Sequence, residues 1–171
     1  MKRFLPLFLL FGCSGSEGAG EQANRQVAAP ATKRGADPAP AGGRQSLSLT
    51  GLYEAGSGSQ KSQLCILEKG ATAKFGLVVW GSNQHSCSGI GSATRRAGAV
   101  RLAMAGDETC TLDAAVSGGT ITLPAVMPKG CAYYCGARAT LTNVAFAQTG
   151  TTKADALRAK DLVGESLCAD M

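Results

Sequence analysis

This chain of 171 residues has few aromatic side chains, few charges and a single histidine. Phe, Tyr and Trp make up 5% of it, and charged residues make up 17%. One histidine argues against a zinc site built from several imidazoles. The chain also lacks a Gly-x-Ser-x-Gly turn and a Walker-type phosphate-binding loop. Neither a serine hydrolase with that turn nor a nucleotide-binding enzyme with that loop is therefore indicated.

Basic charge is not concentrated in any part of the chain. The formal net charge is +5, but Lys2 and Arg3 carry two of these charges, and residues 47–171 hold 11 basic and 9 acidic side chains. A nucleic-acid-binding surface requires a clustered basic patch. The sequence therefore predicts no nucleic-acid partner.

The first 13 residues have the pattern of an export signal. Two cations, Lys2 and Arg3, precede the apolar run 4–11. That run is much shorter than the roughly 20 residues of a transmembrane helix, but its length is typical of the apolar core of a signal peptide. Cys13 follows it and stands alone before a polar segment.

Residues 10–13, Leu-Phe-Gly-Cys, resemble the lipobox of bacterial lipoproteins. The resemblance implies cleavage before Cys13, a diacylglycerol on its sulfur and a fatty acid such as palmitate on its new amino group, which together hold a protein firmly on a membrane. Ser14, in place of aspartate, implies the outer membrane with the domain facing the periplasm. The alternatives are an ordinary signal peptide and a buried N-terminal segment with an incidental cysteine.

Residues 14–46 have the composition of a flexible linker. Gly, Ala, Pro and Ser supply 20 of these 33 residues, and Val27 is the only sizeable apolar side chain. Such a stretch cannot bury enough apolar surface to offset its conformational entropy. We therefore expect a signal peptide over 1–12, lipidated Cys13 with a linker to residue 46, and one folded domain over 47–171.

The domain is predicted to be mostly β. Residues 74–80 carry apolar side chains on both sides, which indicates a strand covered on both faces. A threonine cap and Asp155 predict a short helix from Lys153 to about Asp161. Seven or eight short strands separated by Gly-rich turns predict a small antiparallel barrel or sandwich. The predicted strands are 46–53, 63–67, 74–80, 99–103, 108–115, 120–123 and 138–146.

Besides Cys13, the domain contains an even number of cysteines: Cys65, Cys87, Cys110, Cys131, Cys135 and Cys168. An even number in an exported domain predicts three disulfides, among 15 possible pairings. Bonds that close neighbouring hairpins would join Cys65 to Cys87 and Cys110 to Cys131. The third bond, Cys135–Cys168, would then hold the end of the chain. A local Cys131–Cys135 bond is the main alternative.

Two chemical alternatives involve the only histidine. His85 and Cys87 lie two residues apart, so in a strand they share a face and could act as a nucleophilic pair. With Cys131 and Cys135 they could also bind a metal, because ligand spacing of this kind is allowed. Both alternatives require free thiols, which an oxidising compartment disfavours. We expect no catalytic residue, no metal site and no cofactor.

Acidic side chains show no pattern of a catalytic pair. They are scattered over predicted turns and polar faces, at Glu54, Glu68, Asp107, Glu108 and Asp113. An enzyme of unfamiliar design therefore remains the least favoured alternative.

Gly130–Gly136, GCAYYCG, is the most distinctive segment of the domain. Tyrosines on a rigid loop offer large contact area at little entropic cost, so Tyr133 and Tyr134 are candidate binding residues. In the alternative interpretation, one ring packs on the end of the barrel with its hydroxyl on a backbone carbonyl.

A second, weaker candidate lies among the arginines. Arg95 and Arg96 with Arg101 could bind an anionic group. A solvated turn is the favoured interpretation of these three side chains.

The overall plan resembles that of small bacterial envelope proteins that inhibit lysozymes or metalloproteases. That resemblance concerns architecture only, because the chain has none of their inhibitory motifs. We expect a membrane-anchored, non-catalytic binding domain whose partner is an envelope protein, with inhibition of an envelope hydrolase as one form of this function. A structural or assembly-assisting lipoprotein of the outer membrane is the alternative.

Overall fold

The computed structural model describes residues 48–58 and 60–169. The predicted signal peptide, the lipidation site at Cys13 and the linker lie outside these residues. Within the described part of the chain, no helix has the length and apolar character needed to cross a membrane.

Eight antiparallel strands form a closed barrel. Each strand pairs with its neighbours in the chain, and the barrel closes where the last strand pairs with the first. This confirms the mostly β prediction and selects a barrel over a sandwich. The strands are β1 (Gly51–Ala55), β2 (Ser62–Lys69), β3 (Thr72–Trp80), β4 (Ser86–Arg96), β5 (Ala99–Met104), β6 (Thr111–Ser117), β7 (Thr120–Thr122) and β8 (Ala145–Gly150).

Alternate side chains of each strand fill the barrel interior, as the strand period of two requires. The inward positions are Leu64 and Ile66 on β2 and Phe75, Leu77 and Val79 on β3, each almost completely buried. A slip of one residue in either strand would turn these side chains to the outside. The packed interior therefore fixes the strand register.

The segment that follows β8 covers the outer face of β1, β2 and β3. It begins with the single helical turn α1 (Lys153–Ala156), which a reciprocal capping box between Thr152 and Asp155 starts as predicted. On the strand side, a β-carbon at Gly76 would lie 2.7 Å from Leu167 Cγ, so only glycine allows this contact. The prediction that β3 is covered on both faces is confirmed. Buried residues of this outer layer are Leu52, Cys65, Leu67, Val78, Ala156, Ala159, Leu167 and Cys168.

The two ends of the barrel differ. At one end, which we call the turn end, the β2–β3, β4–β5 and β6–β7 connections are tight turns with positive-φ glycines at Gly70, Gly98, Gly118 and Gly119. The other three connections between neighbouring strands and the long β7–β8 connection meet at the opposite end, which we call the loop end. Connecting loops held by a rigid scaffold commonly carry function.

Two strand predictions are wrong. The longest strand, β4, is absent from the prediction because Gly89 and Gly91 weaken its apolar pattern. A β-carbon at these positions would lie 2.9 Å from Met104 Sδ and 2.8 Å from the Phe75 ring, so the glycines leave room for larger neighbours. Conversely, residues 138–144 form a loop rather than a strand, since Asn143 has a φ of 56°.

The predicted helix is also shorter than expected. It ends at Ala156 rather than near Asp161, because Ala159 uses its carbonyl to accept a hydrogen bond from Leu167 N at 2.9 Å. Residues 157–160 therefore turn back onto the barrel instead of continuing the helix.

The described part of the chain contains three disulfides, and two of the three predicted pairings are wrong. Cys110–Cys131 is confirmed, but Cys65 is bonded to Cys168 and Cys87 to Cys135. Cys65 and Cys87 lie on β2 and β4, with β3 between them, and two strand spacings amount to about 9.5 Å, which already exceeds what a disulfide spans. They also face opposite sides, since Cys65 belongs to the outer layer and Cys87 to the interior.

Candidate functional site

The β7–β8 connection, residues 123–144, folds over the loop end of the barrel. Its 3-10 helix, Lys129–Tyr134, is joined to the β5–β6 loop by Cys110–Cys131. Immediately after this helix, Cys135 is bonded to Cys87 at the start of β4. Two disulfides thus hold this short stretch to two different parts of the barrel.

Tyr134 closes the interior at this end. Its hydroxyl donates a hydrogen bond to Ala105 O at 2.7 Å, and its ring packs on the core. A β-carbon at Gly89 would lie 3.1 Å from the Tyr134 ring. The structural alternative considered for the two tyrosines therefore describes Tyr134.

Tyr133 points into solvent and is 81% exposed. It meets Tyr134 edge to face, with ring centroids 5.2 Å apart, a favoured geometry for aromatic pairs. The half-buried, hydrogen-bonded ring of Tyr134 thus supports the exposed ring of Tyr133. Of the two predicted binding residues, the structure leaves Tyr133 free for contact.

An apolar cleft of about 420 Å³ lies beside the two tyrosines. Val126, which is 83% exposed, precedes the residues that form its wall. We call Tyr133, Val126 and this cleft the apolar surface of the loop end. Residues lining the cleft include Met127, Pro128, Lys129, Ala132, Ala139 and Leu141.

The β5–β6 loop packs against the 3-10 helix at Gly130. Asp107 accepts hydrogen bonds from Thr109 N at 2.8 Å and from Thr109 Oγ1 at 2.6 Å, and these bonds lower the pKa of the Asp107 carboxyl. A β-carbon at Gly130 would lie 1.9 Å from Thr109 Oγ1. Glycine is therefore required where the helix crosses this loop.

The structure does not assemble the nucleophilic or metal-binding group considered around His85. Cys87 and Cys135 are bonded to each other, and Cys131 is bonded to Cys110, so these sulfurs are not free thiols. Within residues 48–58 and 60–169, no group of three or more His, Cys, Asp or Glu side chains is placed to hold a metal ion.

The arginines considered as an anion site are not brought together as a free group. Arg95 pairs with Glu68 at 3.0 Å, and Arg101 pairs with Asp113 at 2.8 Å. The hydrogen bond from Arg101 lowers the pKa of the Asp113 carboxyl. These two guanidinium groups already bind carboxylates of the domain.

Val126 and the cleft residues are absent from the sequence-based candidates. The available signal is the pair of prolines, Pro124 and Pro128, on either side of Val126. Prolines restrict the backbone and mark a turn at the surface. Only the fold shows that the end of this turn, at Met127 and Pro128, lines one cleft with Ala132 and Leu141.

Comparison of the chain with protein-family profiles, curated proteins and solved structures finds no match. The loop end itself is therefore the basis on which a function can be proposed. Its distinguishing feature is an exposed aromatic side chain on a cross-linked support beside an apolar cleft.

Proposed function

We propose that this protein is a non-catalytic binding module of the bacterial envelope. It is attached to the outer membrane through lipid on Cys13, and its domain faces the periplasm. Three disulfides among the described cysteines support an oxidising compartment. The lipobox resemblance of residues 10–13 supports the anchor.

The exposure of Tyr133 carries the proposal of binding. A side chain that is 81% exposed leaves much apolar surface in contact with water unless a partner covers it. The two disulfides beside it reduce the conformational entropy that binding would cost. Aromatic anchors in the centre of an interface commonly dominate its affinity.

The partner is a protein that inserts an apolar side chain into the cleft and covers Tyr133. Inhibition of an envelope hydrolase is one form of this function. It requires that the apolar surface of the loop end blocks the partner's substrate cleft.

Site-specific photo-crosslinking tests the proposal in cells that produce the full chain. A photoreactive phenylalanine replaces Tyr133, and the matched control carries it at Val163. Val163 is also 81% exposed but belongs to the segment on the outer layer. We expect one adduct of defined mass at position 133 that is absent at position 163.

Purified partner then allows a quantitative comparison. Tyr133→Ala should weaken its binding about 30-fold, as expected for a central aromatic anchor. Val163→Ala should leave binding unchanged. The proposal would be contradicted if the photoreactive residue gave the same crosslinked products at positions 133 and 163. A Tyr133→Ala variant that binds the partner as tightly as the parent does would also contradict it. If the partner is a hydrolase, the chain should inhibit it at one-to-one stoichiometry.

A further inference from the structure

A second groove, of about 670 Å³, lies next to the apolar cleft at the loop end. The two share Thr140 and Thr142. Unlike the cleft, this groove is rich in hydroxyl side chains, and we call it the hydroxyl groove. Its polar and aromatic lining comprises Ser62, Trp80, Ser82, Arg138, Thr140 and Thr142.

The floor of the hydroxyl groove is a direct contact between two loops. Ser82 N donates a hydrogen bond to Arg138 O at 3.2 Å. A β-carbon at Gly81 would lie 2.2 Å from the same oxygen, so glycine is required for this approach. The backbone contact holds Arg138 beside the end of β3.

Two hydroxyl groups in the groove keep a proton to donate. Thr140 Oγ1 donates to Thr142 Oγ1 at 2.8 Å, which leaves the Thr142 proton uncommitted among the described residues. Ser62 Oγ accepts a hydrogen bond from Trp80 N at 3.0 Å, and its own proton has no acceptor in the described part of the chain. A ligand with several oxygen acceptors would satisfy both hydroxyls.

Among the residues that the structure describes, Arg138 is the one charged residue that lines the groove. Within the described residues no carboxylate lies within 4.0 Å of it, whereas Arg95, Arg101 and Arg158 are all paired. A guanidinium group matches the geometry of a carboxylate and binds it through two parallel hydrogen bonds. The charge of the groove therefore favours an anionic ligand.

We propose that the hydroxyl groove binds an acidic saccharide chain. Sugar rings present hydroxyl edges to Ser62 and Thr142 and apolar C–H faces to Trp80, while a uronic carboxylate pairs with Arg138. An extended peptide would be expected to add to a sheet edge, but the eight described strands are paired all round the barrel. This site does not depend on the protein contact proposed at Tyr133.

Trp80 is the only tryptophan of the chain, and it lines the groove while packing against the outer layer, so a ligand in the groove should change its fluorescence. The full chain is titrated with tetragalacturonate and, as a neutral control, with maltotetraose. We expect a saturable change in Trp80 emission with the acidic sugar. Binding of the neutral sugar should be about tenfold weaker or more, because it lacks the partner of Arg138.

Matched variants locate the binding site. Arg138→Ala should weaken binding of tetragalacturonate about tenfold, and Thr142→Val, which removes a hydroxyl at nearly constant volume, should weaken it about threefold. Arg96→Ala removes an exposed cation at the turn end and should have no effect. Circular dichroism of each variant confirms that the barrel remains folded.

The proposal is overturned if neither sugar changes Trp80 emission, or if Arg138→Ala binds tetragalacturonate as the parent does. Equal or tighter binding of tetraglutamate would assign the groove to an acidic peptide and would also overturn it. Tyr133→Ala should retain sugar binding. Loss of sugar binding in that variant but not in Arg138→Ala would place the sugar on the apolar surface of the loop end and refute the assignment.

Discussion

Cys168 is bonded to Cys65 across 103 residues of chain, on the outer face of β2. The bond holds the C-terminal segment on the barrel at the point where Leu167 packs against Gly76. Without this segment, the outer faces of β2 and β3 would expose Leu67 and Val78. The bond therefore maintains the second apolar layer of the domain.

Removal of this disulfide should be the most destabilising of the cysteine substitutions. In the chain-entropy model, a disulfide that closes a loop of about 100 residues raises the free energy of unfolding by about 5 kcal/mol, and one that closes about 20 residues raises it by about 3 kcal/mol. The Cys65→Ala/Cys168→Ala variant should therefore lose more free energy of unfolding than Cys110→Ala/Cys131→Ala. Unfolding in guanidinium chloride measures both, and the reverse order would show that loop length does not decide the effect.

Tyr53 should titrate far above the ordinary pKa of a tyrosine. Its hydroxyl donates to Leu49 O at 2.8 Å and accepts from Gln148 Nε2 at 3.2 Å. Burial, followed by the charge of Glu68, raises the pKa of Tyr53 to about 12. Because the folded state favours the protonated form, the stability that Tyr53 provides is present below pH 10 and is lost between pH 10 and 12.

The variant Tyr53→Phe separates this contribution. It should lower the free energy of unfolding at neutral pH by about 1–2 kcal/mol, because two buried polar groups lose their partner. The difference from the parent protein should shrink above pH 10. An ultraviolet titration, compared with that of Tyr53→Phe, in which Tyr53 ionises near pH 10 would refute the prediction.

Glu68 should make the start of the described domain, at Ser48 and Leu49, sensitive to acid. Its carboxylate accepts hydrogen bonds from Leu49 N at 2.9 Å and from Ser48 Oγ and Arg95. Burial raises the pKa of this carboxyl, but the bonds from Ser48 and Arg95 outweigh burial and lower it. A lowered pKa means that the stabilisation is present above the ordinary pKa of glutamate and is lost as pH falls through the folded value.

We expect Glu68→Gln to destabilise the domain by about 1 kcal/mol at neutral pH. The difference from the parent should disappear in acid. Glu108→Gln, at an exposed position on the β5–β6 loop, is the control and should behave as the parent does. A destabilisation by Glu68→Gln that persists unchanged to pH 2 would contradict the role of the charge.

Gln84→Gly should stabilise the protein. Asn83 and Gln84 are consecutive non-glycine residues with positive φ, 54° and 61°, a conformation that costs L residues about 1–2 kcal/mol each. Part of the gain is offset by the entropy of glycine in the unfolded chain, so we expect a net increase of about 0.5–1 kcal/mol. Thermal unfolding measures it, and Gln84→Ala, which keeps the strained backbone, should give no increase.

Cys13→Ala should abolish lipidation. Cells that produce the parent protein and are fed an alkyne fatty acid should yield a labelled product, because the modification depends on that sulfur and the new amino group. Ser14→Asp should remain labelled but change the membrane in which the protein is found. A labelled Cys13→Ala product would place the lipid elsewhere.

Local pattern was sufficient for most of the strands. In β3, apolar residues on both sides of the segment predict a strand covered on both faces, and the structure confirms it. The start of α1 was equally local, because the Thr152–Asp155 cap lies within four residues of chain. β4 was missed because its glycines are selected by Met104 and Phe75, which are distant in sequence.

An even number of cysteines behind a predicted export signal was enough to predict three disulfides, and the alternation of apolar residues was enough to predict a β domain. Only the closed barrel decided the disulfide partners of Cys65 and Cys87. It also decided that Tyr133 rather than Tyr134 is exposed, and that Trp80 and Arg138 line one groove. The alternation of side chains along a strand determines which of them share a face of that strand. Closure determines which faces, loops and ends come together, and it depends on distances between segments that no local pattern contains.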